Sequence, residues 1–364
     1  MDPKERIKSL TQELARHQYL YYVLAEPAIS DSRYDALFDE LKTLEHRYPD
    51  YRLPDSPTQR VGSDLDQAFP QKEHKIPVLS LDKANSSGQV TTWIEKMRLQ
   101  FPEIELVMED KIDGLSIVLY YENGLLSSAL TRGDGERGNE IGENVKTVRQ
   151  IPLRVPCSES FVVRGELYLE KEDFDRLNQN QENRFANPRN LAAGSIRLSR
   201  SSQTARIPLK FASHDAHFPQ SPMQTHVDNL IRLRSMGFPL IKPIRLIGFN
   251  LKDTNSVLPE LIPQTFSDIP KTIETLRIER PSRAYEIDGL VFKVNQHSIR
   301  DKLGATSHHP RWALAFKFDA PSAETRLLSI DVQVGRNGRI TPVANLQPVS
   351  ISGSTVSRAT LHNQ

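Results

Sequence analysis

Two apolar segments with strand character stand either side of an Asn-Gly pair in the first third of the chain. Residues 115–121 (LSIVLYY) and 125–131 (LLSSALT) flank Asn123 and Gly124. Asn-Gly favours a type I′ turn, whose twist matches that of two paired antiparallel strands. The pattern therefore predicts an antiparallel hairpin, which argues against a doubly wound parallel sheet.

The rest of the chain mixes strand-like and helix-like segments. Strand-like runs occupy residues 161–169, 288–294 and 312–318, and helical segments are expected near 171–180 and 226–236. Helices mixed with antiparallel hairpins are typical of the α+β class. We therefore predict an α+β fold with antiparallel sheets.

Two amphipathic helices are predicted at the N-terminus. The first, over residues 3–25, repeats apolar side chains at three-, four- and seven-residue steps, and Pro27 follows it. The second begins near Asp31, a suitable N-cap, and ends before Pro49. Together they predict a small helical hairpin.

The length of the chain indicates more than one domain. Its 364 residues exceed the roughly 250–300 that a single hydrophobic core supports. We assign residues 1–65 to the helical module and residues 66–320 to the α+β domain. After Pro321 the sequence changes to short alternating segments rich in Val and Thr, which are typical of a small β-barrel. Residues 321–364 are predicted to be the incomplete start of an OB-fold barrel.

Charge and cysteine content narrow the classes of function. Lys and Arg total 47 against 46 Asp and Glu, giving a net charge of +1, so a nucleic-acid site would be a local basic patch. Cys157 is the only cysteine, which excludes intrachain disulfides and a Cys-rich zinc module. No segment approaches the roughly 20 apolar residues of a membrane helix, and the N-terminus lacks a signal-peptide core. We expect a soluble, cytoplasmic monomer that binds neither membrane nor zinc.

Lys111 stands between acidic residues in an apolar, strand-like segment, as either a salt-bridged structural residue or a nucleophile. A charge left unpaired inside a hydrophobic strand would cost several kcal/mol, so several such charges indicate a shared polar cleft. Other segments that place charges within or at the end of apolar strands contain Arg164, Glu166, Glu286, Asp288, Lys293 and Lys317.

Residues 133–138 (GDGERG) match the G-x-G-x-x-G dinucleotide fingerprint and precede a possible helix at 140–150. A Rossmann dehydrogenase is therefore the alternative from another enzyme class. Asp134 and Glu136 would bring carboxylates towards a pyrophosphate, and the preceding strand lies in an Asn-Gly hairpin instead of a parallel βαβ unit. We predict that this motif is not a Rossmann site.

The charged segments form an ordered series that resembles the motifs of the covalent nucleotidyltransferases, which comprise DNA ligases, RNA ligases and capping enzymes. The series is Lys111-x-Asp113-Gly114, Arg132-Gly133, Glu166, Asp288-Gly289 with Lys293, and Lys317. Longer strings are similar to those of bacterial NAD-dependent DNA ligases: RYD (33–35), DSPTQRVG (55–62), HKIPVLSL (74–81), TRGDG (131–135), FANPRNLAAGS (185–195) and VGRNGRITPVANL (334–346). From about residue 5 to its end, the chain resembles the N-terminal portion of that family.

The resemblance implies that Lys111 attacks the α-phosphate of NAD, releases nicotinamide mononucleotide (NMN) and becomes lysyl-AMP. AMP then passes to the 5′-phosphate of a nick in double-stranded DNA, and the 3′-hydroxyl seals the strand. A free lysine with a pKa near ~10.4 is almost wholly protonated at neutral pH, so nearby cations or burial must disfavour its ammonium form. Lys293, Lys317 and a bound divalent ion are the candidates.

The same resemblance implies roles for further residues. Asp113 and Glu166 are the expected partners of Mg²⁺ or of ribose hydroxyls, with Mn²⁺ as a possible substitute, because hard cations prefer carboxylate oxygens. Gly114 and Asp288 would support the site, and His214 stands where relatives often carry an aromatic residue near adenine. The residues expected around the adenylate are Ser80, Leu81, Glu109, Arg132, Glu166, Lys293 and Lys317.

The helical module grips the NMN half of NAD in this family and is missing from ATP-dependent ligases, so it implies NAD as substrate. Without the resemblance, the same residues would be interpreted as an ordinary aromatic helix face. The residues concerned are Tyr21, Tyr22, Asp31, Ser32, Arg33, Tyr34 and Asp35. DNA contacts are expected from Arg189, Arg197, Arg200, Arg206, Arg336 and Arg339, which could equally be solvated surface charges.

Two functions within the family remain open. The first is an enzyme competent in self-adenylation; complete ligation by this length of chain is not expected, since full-length relatives continue through further DNA-binding domains. The second is a non-catalytic nucleotide- or DNA-binding remnant of a ligase.

Overall fold

The computed structural model describes residues 2–22, 28–60, 69–179, 185–249, 258–307, 309–318, 323–334, 340–351 and 354–361. The helices within these ranges are α1 (Pro3–Tyr22), α2 (Asp31–Arg47), α3 (Ser87–Gln100), α4 (Gly142–Val145), α5 (Lys171–Gln179), α6 (Pro188–Ser195), α7 (Ser201–Thr204), α8 (His226–Ser235), α9 (Ile269–Glu279) and α10 (His297–Leu303). The strands are β1 (Gln71–Glu73), β2 (Asp82–Ala84), β3 (Leu106–Ile112), β4 (Leu115–Glu122), β5 (Leu125–Thr131), β6 (Arg137–Asn139), β7 (Phe161–Tyr168), β8 (Lys210–His217), β9 (Ile244–Ile247), β10 (Leu261–Gln264), β11 (Ile287–Val294), β12 (Ala313–Lys317), β13 (Leu327–Val334), β14 (Ile340–Ile351) and β15 (Ser354–Thr360).

The N-terminal helices form the predicted hairpin with a small core of its own. Ile7, Leu10 and Leu14 of α1 are fully buried and pack against Leu37 and Leu41 of α2. These positions follow the three- and four-residue spacing that places side chains on one face of a helix. The helix predicted over residues 3–25 is seen as far as its last described residue, 22.

The cap predicted for the second helix was wrong by one residue. Ser30 has extended backbone angles, and its hydroxyl accepts a hydrogen bond from the backbone N–H of Arg33 at 3.3 Å. Asp31 is instead the first residue of α2. Ser and Asp are both good caps, and the backbone conformation at Ser30 decided between them.

A four-stranded antiparallel sheet, in the order β5-β4-β7-β8, contains the predicted Asn-Gly hairpin. Asn123 and Gly124 have φ angles of 51° and 74°, as the type I′ turn requires. A Cβ on Gly124 would lie 2.2 Å from the backbone oxygen of Cys157, so the turn is also packed closely from outside. The prediction of this hairpin is confirmed.

A six-stranded sheet, in the order β10-β9-β3-β11-β12-β2, forms the second half of the domain. The inner pairs are antiparallel, whereas β10–β9 and β12–β2 are parallel. Parallel neighbours require a connection of a dozen or more residues, which both edge strands have. A hydrophobic core that contains residues of α3, α9 and α10 packs against this sheet.

The two sheets meet where β3 passes into β4 through Asp113 and Gly114. A Cβ on Gly114 would lie 2.2 Å from the backbone oxygen of Leu167 and 2.8 Å from Cγ of Glu166 in β7. Only glycine permits this approach without a shift of the backbone. The ends of β3, β7 and β11 thereby border one cleft.

The glycine-rich segment 133–138 does not begin a nucleotide-binding helix. It turns from β5 into the short strand β6, which pairs antiparallel with β1. The helix considered possible over residues 140–150 is only the four-residue α4. The prediction that this motif is not a Rossmann site is confirmed.

Three antiparallel strands, β13–β14–β15, form the C-terminal sheet. Leu328, Ile330 and Val332 alternate on one face of β13 and are 61%, 52% and 62% exposed. This sheet therefore leaves apolar surface uncovered. No helix within the described ranges is long and apolar enough to cross a lipid bilayer.

Candidate active site

Strand β3 sends consecutive charged side chains in opposite directions. Glu109 and Lys111 share the face towards the cleft, since side chains alternate along a strand. Asp110 points the other way, where its Oδ2 accepts a hydrogen bond from the Tyr285 hydroxyl at 3.3 Å and lies 3.5 Å from Nε of Arg283. Asp110, although next to Lys111 in the sequence, therefore has its partners on the side away from the cleft.

Lys111 is paired with Asp288. Its Nζ donates to Oδ1 and Oδ2 of Asp288 at 2.8 and 2.9 Å, and Nζ of Lys317 lies 3.8 Å from Oδ2. In the strand register, Gly289 of β11 pairs with Lys111 on one side and with Lys317 on the other. The two lysines thus flank a residue without a side chain, and one carboxylate contacts both ammonium groups.

A β-bulge directs Asp288 into this position. The register of β11 against β3 shifts between Ile287 and Gly289, which leaves Asp288 as the extra residue. A bulge bends the strand and re-aims the side chain of the unpaired residue. A Cβ on Gly289 would lie 1.9 Å from the backbone oxygen of Phe316, so glycine is required beside the bulge.

Two more carboxylates face the same cleft. Asp113 accepts a hydrogen bond from Nη1 of Arg189 at 2.8 Å. Burial raises the pKa of Glu166 to about 8; Asp113 and Asp288 add to the rise, whereas Lys111 and Arg189 oppose it. Glu166 therefore carries a proton for most of the time at neutral pH.

The chemistry of this cleft fits a magnesium ion held by few protein ligands. Mg²⁺ keeps several waters and is usually bound through one or two carboxylates together with substrate phosphates. Glu166 and Asp113 supply two such carboxyl groups, and Glu166, whose pKa is raised chiefly by burial, would have to release its proton to bind the ion. Within the described residues, no group of three or more His, Cys, Asp or Glu side chains is arranged to hold a metal.

Glu109 and Lys293, both expected around the adenylate, form a pair that is buried deeper along the same strands. Nζ of Lys293 lies 2.5 Å from Oε2 of Glu109, and their side chains are 7% and 2% exposed. Nζ also donates to the backbone oxygen of His214 at 2.7 Å and lies 3.3 Å from Nε2 of His226. The structure does not place Lys293 in contact with Lys111, which was expected to have it as a neighbouring cation.

His214 owes its position to a second bulge. Asp215 pairs with Arg164, and Ser213 pairs with Gly165, so His214 is left over in β8. Burial, together with Lys293 and Arg164, lowers the pKa of His214 to about 3. The backbone oxygen of His214 therefore accepts a hydrogen bond from Lys293, and its imidazole ring is neutral.

Arg132, Ser80 and Leu81 are held mainly through their backbones. Nε2 of His74 lies 3.1 Å from the backbone oxygen of Arg132, and Arg132 is an exposed residue. Nδ1 of His309 lies 3.2 Å from the backbone oxygen of Ser80, and Leu81 is half-buried. The structure does not bring these three side chains into the Lys111 cluster.

The remaining predicted residues fall into three groups. In the helical module, the hydroxyl of Tyr34 accepts a hydrogen bond from Nε2 of Gln18 at 2.7 Å, while Arg33 and Asp35 are exposed. The side chains of Tyr21, Tyr22, Asp31 and Ser32 lie outside the described part of the chain, as do Arg336 and Arg339. Arg197, Arg200 and Arg206 are exposed, as DNA contacts and solvated charges both would be.

Sequence reasoning missed three polar residues around Lys293. His226 is fully buried at the start of α8, Arg300 of α10 is 7% exposed, and Asp215 lies next to the bulge. Each is a single polar residue in an unremarkable helix or strand, so periodicity alone gave no signal. His226 follows Thr225, which caps α8, and this position was the one available clue.

Comparison with known proteins agrees with the geometry of the cleft. Residues 66–321 match the family model for the NAD-dependent DNA ligase adenylation domain, residues 1–62 match the DNA ligase-like N-terminal NAD⁺-binding domain, and residues 324–364 match the NAD-dependent DNA ligase OB-fold domain.

Curated relatives share similarity along the whole chain. A DNA ligase of Leptospira interrogans serogroup Icterohaemorrhagiae is 42% identical over 365 residues, covering 100% of this chain and 51% of the relative. DNA ligases of Thermoanaerobacter sp. and Borrelia turicatae are 43% and 38% identical over 100% of this chain. The matched regions make up 53% and 52% of these two relatives. The chain spans about half the length of the curated relatives it matches. By the family models and these identities, it belongs to the NAD-dependent DNA ligases.

Proposed function

We propose that this chain catalyses its own adenylation on Lys111 with NAD as the AMP donor, the first step of DNA ligation. The observation that carries the proposal is the arrangement of Lys111, Asp288 and Lys317 around Gly289. A nucleophilic amine and a second cation are held close together on β3 and β12, the two strands that flank β11. A phosphoryl group that enters between them would meet both.

The chemical step forms one bond and breaks one bond. The neutral amine of Lys111 attacks the phosphorus of the AMP half of NAD, and the P–O bond to NMN breaks with its electron pair on the departing phosphate. Lys317 would neutralise charge on the phosphate oxygens during attack. Asp288 is hydrogen-bonded to the ammonium form of Lys111, so Nζ must leave this pair and lose a proton before it can attack.

Glu166 and Asp113 would hold Mg²⁺ when the substrate is bound. The ion would supply a positive charge against the α-phosphate. In its protonated form Glu166 would instead donate a hydrogen bond to a ribose hydroxyl, since a carboxyl group that binds the ion must lose its proton. The ion pair between Arg189 and Asp113 holds that carboxylate at the border of the cleft.

Adenylation leads to the later steps of ligation, although complete ligation by this length of chain alone is not expected. The AMP on Lys111 passes to the 5′-phosphate of nicked double-stranded DNA, which frees the lysine, and the 3′-hydroxyl then displaces AMP to seal the strand. Arg189, Arg197, Arg336 and Arg339 are the proposed DNA contacts. The helical module, through Tyr34 and its neighbours, is the proposed site for the NMN half of NAD, and its match to a NAD⁺-binding domain supports this choice.

Intact-mass measurement tests the adenylation step. The purified chain incubated with NAD and Mg²⁺ should gain the mass of one AMP and release one NMN, and Lys111→Ala should gain nothing. Lys96→Ala, at an exposed lysine of α3, serves as a matched control and should be labelled normally. A wild-type chain that binds NAD but is not labelled would favour the non-catalytic remnant, and equal labelling by ATP would contradict the choice of NAD.

A further inference from the structure

His226 is a buried polar residue whose backbone position does not depend on its ring. It is the first residue of α8, and its backbone N–H donates to the backbone oxygen of Asn295 at 2.8 Å. Thr225 and Asp228 form a capping box at the same helix end. The contacts of the imidazole can therefore be changed while the start of the helix keeps its own hydrogen bonds.

The imidazole lies between a cation and a carboxylate. Nε2 is 3.3 Å from Nζ of Lys293, and Nδ1 is 3.7 Å from Oδ1 of Asp215. Burial, with Lys293 and Arg300 nearby, holds the pKa of His226 well below its usual value, so the ring is neutral. Burial opposes ionisation of Asp215, but the nearby cations Arg300, Lys293 and Arg164 favour its carboxylate form.

These neighbours select one of the two neutral tautomers. An ammonium group only donates hydrogen bonds, so Nε2 facing Lys293 must present its lone pair. The ring proton then lies on Nδ1, which makes no hydrogen bond at 3.7 Å from Oδ1 of Asp215 but is close enough for the carboxylate to favour that proton by its charge. The contacts of the two ring nitrogens thus assign the proton to Nδ1.

The tautomer affects Glu109 as well as Lys293. Lys293 has three N–H groups, and its neighbours are Oε2 of Glu109, the backbone oxygen of His214 and Nε2 of His226. The other oxygen of Glu109, Oε1, is buried without a hydrogen-bond partner in the described part of the chain and lies 3.6 Å from Nε2. An Nε2 without a proton cannot donate to Oε1, which stays available as an acceptor.

We propose that His226 and Asp215 are positioning residues that keep Oε1 of Glu109 free to accept a hydrogen bond from the amino group of the nucleotide base. The charge of Asp215 favours the ring proton on Nδ1, the lone pair of Nε2 faces Nζ of Lys293, and Lys293 holds Oε2 of Glu109. A base with an oxo group in place of the amino group would bring an acceptor against a buried acceptor, which is costly. This inference rests on the proposed function, with the adenylate bound beside Glu109 as the resemblance to the NAD-dependent DNA ligases implies.

Two substitutions separate this role from a purely structural one. The amide of His226→Gln reaches the position of Nε2 and can accept from Lys293, whereas His226→Asn reaches only the position of Nδ1. Both are polar and occupy the same helix position. The measurement is kcat/KM for lysyl-AMP formation with NAD, divided by the same quantity with nicotinamide hypoxanthine dinucleotide, in which an oxo group replaces the amino group.

The expected result is a ratio about tenfold lower in His226→Asn and within about threefold of wild type in His226→Gln, in line with the loss of one hydrogen bond. A wild-type ratio in His226→Asn, or an equal fall in His226→Gln, would overturn the proposal. Should His226→Asn not fold, Asp215→Asn takes its place; a lowered ratio there supports the positioning role, and an unchanged one refutes it.

A direct measurement distinguishes failure of this inference from failure of the proposed function. Imidazole ¹⁵N chemical shifts of the wild-type chain, with His226 assigned through its loss in His226→Gln, report which ring nitrogen carries the proton. We expect Nδ1. A proton on Nε2 would refute the positioning role even in an active enzyme, whereas a wild-type chain that NAD does not label would refute the proposed function alone.

Discussion

Removing Lys293 should destabilise the adenylation domain strongly, because it leaves the carboxylate of Glu109 buried without its cation. The two side chains are 7% and 2% exposed, so water cannot replace the lost partner. Breaking a buried ion pair in this way costs about 3–5 kcal/mol. We expect this loss for Lys293→Met, which keeps the length and volume of the side chain.

The double variant Glu109→Gln/Lys293→Met should lose less stability than the sum of the two single variants, because it leaves no buried charge. Partners in direct contact typically show coupling of about 0.5–3 kcal/mol, and this pair should lie in the upper half of that range. For a domain of this size, a loss of 4 kcal/mol corresponds to a fall in Tm of roughly 8–16 °C.

Tryptophan fluorescence during urea unfolding is the suitable assay. The chain has two tryptophans, Trp93 and Trp312, and both pack against the core beside the six-stranded sheet. The signal therefore reports on the adenylation domain and not on the helical module. A loss below about 1 kcal/mol for Lys293→Met, or strict additivity in the double variant, would refute the reasoning.

Three further predictions concern other parts of the molecule. Since the pKa of Glu166 is raised from 4.5 to about 8, the folded state retains a proton that the unfolded state loses, so stability should fall as pH rises from about 4.5 to 8. Glu166→Gln should flatten this part of the pH–stability curve, and an unchanged slope would contradict the assigned shift. Gly124→Ala should cost at least about 1 kcal/mol in urea unfolding, because its φ is 74° and the turn is closely packed, whereas Asn123→Gly should stay within about 0.5 kcal/mol. Replacing Ile330 and Val332 by threonine should reduce binding of an apolar dye without lowering the Tm of the tryptophan transition; an unchanged dye signal would show that this face of β13 is not the apolar surface.

Local sequence signals predicted the elements that depend on neighbouring residues. The turn at Asn123 and Gly124 follows from the two residue types that tolerate positive φ, and α1 and α2 follow from apolar spacing. The ordered motif series also brought Lys111, Asp288 and Lys317 together as candidates before their contacts were seen. Their grouping needed no knowledge of the strand order.

The contacts within the site could not be predicted in the same way. Asp288 and His214 reach their positions through β-bulges, and a bulge depends on how two distant strands pair. His226 meets Lys293 only because α8 begins against Asn295, far away in the sequence. For the same reason the sequence could not show how far Lys293, named as a nearby cation, lies from Lys111: Lys293 pairs with Val107 of β3, four residues along the strand from Lys111.

The alternation of charges along β3 limits how this strand can change during evolution. Glu109 and Lys111 face the cleft, while Asp110 is buried on the other side and lies beside the half-buried Arg283. An insertion of one residue before Asp110 within β3 would exchange the two sides and bring an aspartate where the nucleophile belongs. A single substitution changes one side chain, but a change of length would disturb every charged contact of the strand at once. The length of this strand should therefore vary less among functional variants than the identity of its apolar residues.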